Sequence, residues 1–121
     1  MGRILCTDDD AESRELLRFM LEQAGHEVVC VGSGEEALSL ARSQKFDLLV
    51  LDNWMPGLVG TELTRLFREF DQTTPIPFYS AAAYDTDKQA ALDVGANAYL
   101  IKPNDIDDLM DEVDRLIKQS T

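Results

Sequence analysis

Five polar residues in this 121-residue chain stand where short apolar runs stop. Asp8 and Asp9 follow Arg3–Thr7 (RILCT), Asp52 follows Leu48–Leu51 (LLVL), Ser80 ends Ile76–Ser80 (IPFYS), and Lys102 follows Ala98–Ile101 (AYLI). If those runs lie side by side and point the same way, three carboxylates, a hydroxyl and an ammonium share one edge. Gathered carboxylates make an oxygen-rich site for a hard cation such as magnesium. With no cation between them, the crowding of like charges forces a carboxyl pKa upward. With the charge balanced, one carboxylate stays ionised and can act as a nucleophile. A neighbouring ammonium and hydroxyl suit an incoming phosphoryl group, whose equatorial oxygens gather charge. No Cys/His cluster points to zinc instead.

The segments between these runs have the period of helices. After Asp10, an N-cap candidate, Leu17, Met20, Leu21 and Ala24 recur with i, i+3, i+4, i+7 spacing, and Gly25 is placed to stop the helix. His26–Val31 (HEVVCV) reads as a second strand, with His26, the sole histidine, as a surface residue at its start. Ser33 and Glu36 form a capping box ahead of a shallow face of Gly34, Ala37, Leu38 and Ala41. The third strand, Leu48–Leu51, gives way to a loop at Asn53–Gly57, and Gly60 admits a tight entry into a helix presenting Leu63, Leu66, Phe67 and Phe70. Pro77 confines the fourth strand to an edge or restricts the proline to its first residues. Asp85 is placed to cap a helix running through Asp93, which Gly95 ends. Asn104 is placed to cap a last helix lined by Ile106, Leu109, Met110, Val113, Leu116 and Ile117. Five strands alternating with five helices predict an α/β fold, a doubly wound parallel sheet covered by helices on both faces.

The totals narrow the function. The length suits one domain with a substantial core, read as a single unit over 1–121 with no output domain. With 23 acidic and 11 basic residues the formal charge is −12, which disfavours direct contact with nucleic acid or an anionic membrane surface. No apolar run approaches the roughly 20 residues needed to span a bilayer, and nothing resembles a signal peptide, so a cytoplasmic location is expected. Cys6 and Cys30, the only cysteines, lie in apolar strands and read as buried free thiols rather than a disulfide.

From Arg3 to Lys118 the chain resembles the receiver domains of two-component response regulators, the bacterial phosphorelay proteins. The resemblance rests on Thr7-Asp8-Asp9-Asp10, Asp52-Asn53-Trp54-Met55-Pro56-Gly57, Gly60, Ser80-Ala81 and Tyr99-Leu100-Ile101-Lys102-Pro103, in that order. It implies a flavodoxin-like sheet of order 2-1-3-4-5. It further implies that Asp52 accepts a phosphoryl group, that magnesium is held by Asp9, Asp52 and the backbone carbonyl of Trp54, and that Asp8 acts on the cation through water. Lys102 takes the place of the lysine that pairs with the phosphoryl group. Ser80 takes that of the switch hydroxyl, and Tyr99 that of the aromatic that reorients on activation. The Lys102–Pro103 peptide resembles one that is cis in this family. Trp54 is bulky for its position, where it would shade the phosphoryl group from water. Asn104 stands where many members carry an aromatic.

The function so implied is a phosphorylation-controlled signalling module with intrinsic phosphotransfer and slow autodephosphorylation chemistry, not an enzyme in the usual sense. The expected partners are a histidine kinase or histidine phosphotransfer protein, and a downstream protein at the face formed by the fourth helix, fifth strand and fifth helix. The expected state is a monomer before phosphorylation, with dimerisation through that face the change to look for afterwards. Two rivals use the same residues: a small magnesium-dependent phosphatase or phosphotransferase, which would need a substrate-enclosing cap, and a pseudo-receiver scaffold, which would not need every site position filled. A nucleotide- or flavin-binding domain would want a glycine-rich loop where Asp8-Asp9-Asp10 stands.

Overall fold

The computed structural model describes residues 2–119. Strands and helices alternate as β1 (Arg3–Thr7), α1 (Ala11–Gln23), β2 (Glu27–Val31), α2 (Gly34–Ser43), β3 (Leu48–Leu51), α3 (Gly60–Arg68), β4 (Pro77–Ser80), α4 (Asp85–Asp93), β5 (Ala98–Ile101) and α5 (Ile106–Gln119). The strands form one parallel sheet in the order β2-β1-β3-β4-β5, as expected. None of the described helices is long and apolar enough to cross a membrane.

Strand periodicity explains why the runs carry almost no polar residues. Successive side chains point to opposite faces, and both faces are covered. Ile4, Cys6, Leu48 and Val50 pack with Leu17 and Leu21 of α1 and Leu109, Val113, Leu116 and Ile117 of α5. Leu5, Leu49, Leu51 and Phe78 take the other face, against Ala37 of α2, Leu63 and Phe67 of α3 and Ala91 of α4.

The strands are not paired evenly. β1 is in register with β2 from Arg3–Glu27 to Thr7–Val31 and with β3 from Ile4–Leu48 to Thr7–Leu51. β4 and β5 pair from Pro77–Ala98 to Ser80–Ile101. Between β3 and β4 the ladder holds only Leu51 opposite Phe78, supplemented by a hydrogen bond of 3.0 Å from the Leu49 N–H to the Pro75 carbonyl.

Several local expectations hold. Asp10 caps α1 by accepting the Ser13 N–H at 3.1 Å, Ser33 caps α2 by accepting that of Glu36 at 3.2 Å, and Gly25 and Gly95 follow their helices with positive φ. Pro77 is the first residue of β4, a place where an interior strand tolerates it.

Others are corrected. His26 is buried, 7% exposed, because it shares the parity of Val28 and Cys30 and so faces the α5 layer. Its Nδ1 accepts the Gly2 N–H at 3.1 Å and its Nε2 lies 3.2 Å from the Asp114 carboxylate. Ala24 is exposed at the end of α1 rather than part of its buried face. Phe70 lies beyond the end of α3 and is exposed, set edge-on to Phe67 at 5.0 Å. Tyr84, not Asp85, precedes α4, and its N–H is taken by the Asp87 carboxylate at 3.2 Å. Asp105, not Asn104, directly precedes α5: its carbonyl accepts the Leu109 N–H and its carboxylate accepts the Ile101 N–H, both at 2.8 Å. Both cysteines are free, Cys6 buried as expected but Cys30 only half-buried on the edge strand.

Candidate functional site

Because all five strands are parallel, their C-terminal ends meet at one edge of the sheet, where open α/β sheets place their ligands. β1 carries Asp8 and Asp9 there, and β3 carries Asp52. One oxygen from each carboxylate lies within 4.8 Å of the others, a spacing at which a single cation can engage all three. The donor set is all oxygen, which fits a hard divalent ion.

The three acids differ. Asp8 is the most enclosed, 1% exposed. Its Oδ1 accepts the Asp10 N–H at 2.9 Å and its Oδ2 accepts from the Lys102 ammonium. Asp52 is also buried; its Oδ1 accepts the Trp54 N–H at 3.3 Å and its Oδ2 lies 3.2 Å from Lys102 Nζ. Asp9 is exposed, the open side of the cluster.

Lys102 arrives from β5, where the Lys102–Pro103 peptide is cis. It donates to Asp8 and Asp52, and Ser13 Oγ of α1 lies 3.4 Å away. Burial alone would lower the lysine pKa, but the hydrogen bond to Asp8 and the charges of Asp52 and Asp8 raise it, so the group is held as an ammonium. For Asp8 the balance falls the other way. Burial raises its pKa more than the Lys102 and Asp10 hydrogen bonds lower it, and the Asp52 charge adds to the rise. Burial is thus the main cause of the rise at Asp8, and the Asp52 charge the least.

A glycine fixes the level of Asp52. The Gly60 N–H donates to the Asn53 carbonyl at 3.0 Å, folding the loop back onto the strand end. A Cβ at Gly60 would lie 2.4 Å from the Asp52 carbonyl oxygen and 3.0 Å from the Phe78 ring. Trp54, by contrast, is 58% exposed, its indole largely in solvent.

Ser80 and Tyr99 meet around Ala82. Ser80 is fully buried, and its Oγ accepts the Ala82 N–H at 3.2 Å. The Tyr99 hydroxyl donates to the Ala82 carbonyl at 2.7 Å and accepts from Asn53 Nδ2 at 3.2 Å, while its ring stacks on Phe78 at 5.6 Å. Burial raises the Tyr99 pKa, keeping the hydroxyl protonated and able to donate. Tyr99 thus points inward and links the loop after β4 to the loop after β3.

The structure brings together Asp8, Asp9, Asp52 and Lys102, with Ser80 at the end of β4 and Tyr99 within β5. Sequence reading passed over Asn53 and Ser13. The signal for Asn53 was its place next to Asp52 at a buried strand end; for Ser13 it was one helical turn beyond the acids.

Comparison with known proteins agrees with this geometry. The family model described as the response regulator receiver domain matches residues 4–114. A protein of Leptolyngbya boryana known as an uncharacterized 14.6 kDa protein in the sodA1 3′ region is 43% identical over 118 residues, which is 96% of this chain and 87% of that one. The chain spans only about half the length of several curated relatives that it matches, 52% of one and 54% of another. The receiver domain of the Francisella response regulator 1452 superposes with a TM-score of 0.94 at 30% identity, covering 100% of both chains. The Thermotoga maritima response regulator TrrA, solved in complex with Mg2+-BeF, superposes with a TM-score of 0.87 at 34% identity, over 96% of this chain and 99% of that one. On its sequence match, its sheet order and its clustered acids, the chain belongs to the response regulator receiver domain family.

Proposed function

We propose that the chain is a phosphorylation-controlled signalling receiver in which Asp52 accepts a phosphoryl group from a phosphohistidine of a kinase or phosphotransfer protein. The observation that carries this reading is the trio of carboxylate oxygens within 4.8 Å, with the Lys102 ammonium donating to two of the acids. The similar protein TrrA, solved with magnesium and beryllium fluoride, a stand-in for a phosphoryl group, supports it.

Asp9, Asp52 and the Trp54 carbonyl would hold magnesium, with Asp8 acting through water. The ion supplies charge neutralisation for the incoming phosphoryl group. The chain's own residues do the rest. Asp52 attacks phosphorus through a carboxylate oxygen, a P–N bond breaks as a P–O bond forms, and the donor imidazole keeps the electron pair. Lys102, held as an ammonium at this edge, balances charge on the phosphoryl oxygens. The Ser80 hydroxyl, buried and adjacent, donates to one of them. That movement disturbs the Ala82 backbone to which both Ser80 and Tyr99 are bonded. The surface of α4, β5 and α5 then changes and a downstream protein reads it. Slow attack by water on the acyl phosphate restores Asp52.

Intact mass after incubation with magnesium and acetyl phosphate tests the reading. One phosphoryl group is expected on the wild type and none on Asp52→Asn; equal labelling of the two overturns the assignment. Trp54, the sole tryptophan, donates its backbone N–H to Asp52, so its fluorescence is expected to respond to magnesium and then to phosphorylation.

A further inference from the structure

The phosphoacceptor reading leaves two groups of known reactivity unused, the thiols of Cys6 and Cys30. Cys6 on β1 and Cys30 on β2 are register partners on adjacent parallel strands. Neighbouring strands lie about 4.8 Å apart, inside the Cα separation of roughly 4.4–6.8 Å that a disulfide requires. Both side chains point to the face under α1: Cys6 belongs to the core there and Cys30 packs against it. Cys30 Sγ lies 3.8 Å from the Arg14 carbonyl of α1, on the side that faces Cys6.

The two differ in access and in charge environment. Cys6 has no exposed surface, whereas Cys30 is half-buried on the edge strand. The neighbouring Cys6 thiol and, against some desolvation, the charges of Arg18 and Arg14 lower the Cys30 thiol to about 7. Reactive cysteines combine this electropositive setting with partial exposure.

We propose that Cys30 and Cys6 form a hydroperoxide-responsive dithiol, with Cys30 the attacking thiolate and Cys6 the resolving thiol. In the first step the Cys30 sulfur attacks the nearer oxygen of a hydroperoxide. An S–O bond forms, the O–O bond breaks, and the departing alkoxide or hydroxide takes up a proton. In the second step the Cys6 sulfur attacks Cys30. The S–O bond breaks as the S–S bond forms, and the leaving hydroxide takes the Cys6 proton and departs as water. Both sulfurs are oxidised by one electron each, and the peroxide is reduced by two. The product ties β1, the strand that delivers Asp8 and Asp9, to the edge strand β2.

The test uses the whole chain in the presence and absence of hydrogen peroxide near neutral pH, with quenching, alkylation under denaturing conditions, and peptide mapping by mass. The expected result is loss of both alkylatable thiols, a peptide pair joined through Cys6 and Cys30 that is about two mass units lighter than the sum of its thiols, and full recovery with dithiothreitol. In Cys30→Ser, Cys6 is expected to stay fully alkylatable under the same exposure. Two intact thiols in the treated wild type, a disulfide joining two chains, irreversible oxidation of Cys30 without a link, or oxidation of Cys6 in Cys30→Ser would each overturn the proposal.

Discussion

β2, β1 and β3 are laddered along their length, and so are β4 and β5, yet the two groups meet through a single paired position, Leu51 with Phe78. The functional edge straddles that seam. The acids Asp8, Asp9 and Asp52 sit on the first group, and Ser80, Tyr99 and Lys102 on the second. Side chains cross where backbone pairing is thin: Lys102 to Asp8 and Asp52, and Asn53 to Tyr99. A receiver has to hold its acids rigidly for chemistry yet let the neighbouring surface respond. A sheet stitched firmly in two parts and lightly between them provides both. α5 closes the seam on one face, since Leu109, Val113 and Leu116 share a core with Ile4 and Val50 from one group and Tyr79 from the other. α4 offers no such clamp, with Ala91 its only buried residue.

The largest expected effect follows from that contrast between helices. Leu109→Ala removes a fully buried side chain from the clamp and is expected to cost about 2–5 kcal/mol. Leu92→Ala on α4, where the side chain is exposed, is expected to stay within about 0.5 kcal/mol. Urea unfolding of both variants checks this, and similar losses at the two positions would erase the distinction between clamp and free helix.

Next in size is Gly60→Ala. The added methyl would press on the Asp52 carbonyl from one side of the seam and on Phe78 from the other. Overpacking of this kind costs about 1–3 kcal/mol. Labelling of Asp52 by acetyl phosphate is expected to slow with it, because the acceptor strand end must shift. Full stability with full labelling would mean the seam is slack enough to absorb a methyl group.

Tyr99→Phe is smaller, about 1 kcal/mol for the lost hydrogen bonds. It leaves the Ala82 carbonyl and Asn53 without their shared partner. Amide exchange in α4 is expected to quicken while that in α5 holds steady, and unchanged exchange in α4 would remove Tyr99 as a cross-seam tie.

Much of this arrangement was legible in the sequence, and the reason is topological. Every site residue but Tyr99 stands at or just past a strand end, and parallel strands bring those ends together whatever the side chains do. Gly60 was legible as well, since a tight loop entry demands a missing Cβ. The misses are of another kind. His26 looked exposed beside Glu27, but burial followed from its register parity with Val28. Asp105 displaced Asn104 ahead of α5 because its carboxylate is taken by the Ile101 N–H. The seam itself was invisible, because how far β3 and β4 pair depends on twist and on the approach to Pro77, neither of which is written in residue type. The raised Asp8 carboxyl was not legible either, because burial leads the rise and adjacent acids in a sequence do not say which one the fold encloses.

That last point gives the finest test, read as a direction with pH. Burial disfavours Asp8 as an anion, and Lys102, its partner across the seam, only partly offsets this. A carboxyl whose folded pKa lies above its unfolded value contributes full stability below the unfolded value, here the ordinary 3.8, and that contribution is lost as pH rises through the raised folded value. Asp10, Asp71 and Glu62, whose values are lowered, act in the opposite sense, so the wild-type profile alone is a mixture. The difference between wild type and Asp8→Asn isolates the term. Without divalent cation, Asp8→Asn is expected to gain on the wild type in melting temperature as pH climbs from 3.8 toward neutrality, and then to hold that gain. With saturating magnesium the gap is expected to narrow, because a cation at the edge favours the ionised acid. A metal-free Asp8→Asn that melts below wild type at neutral pH would show that the Lys102 tie outweighs the burial of Asp8, making that pair a strut across the seam.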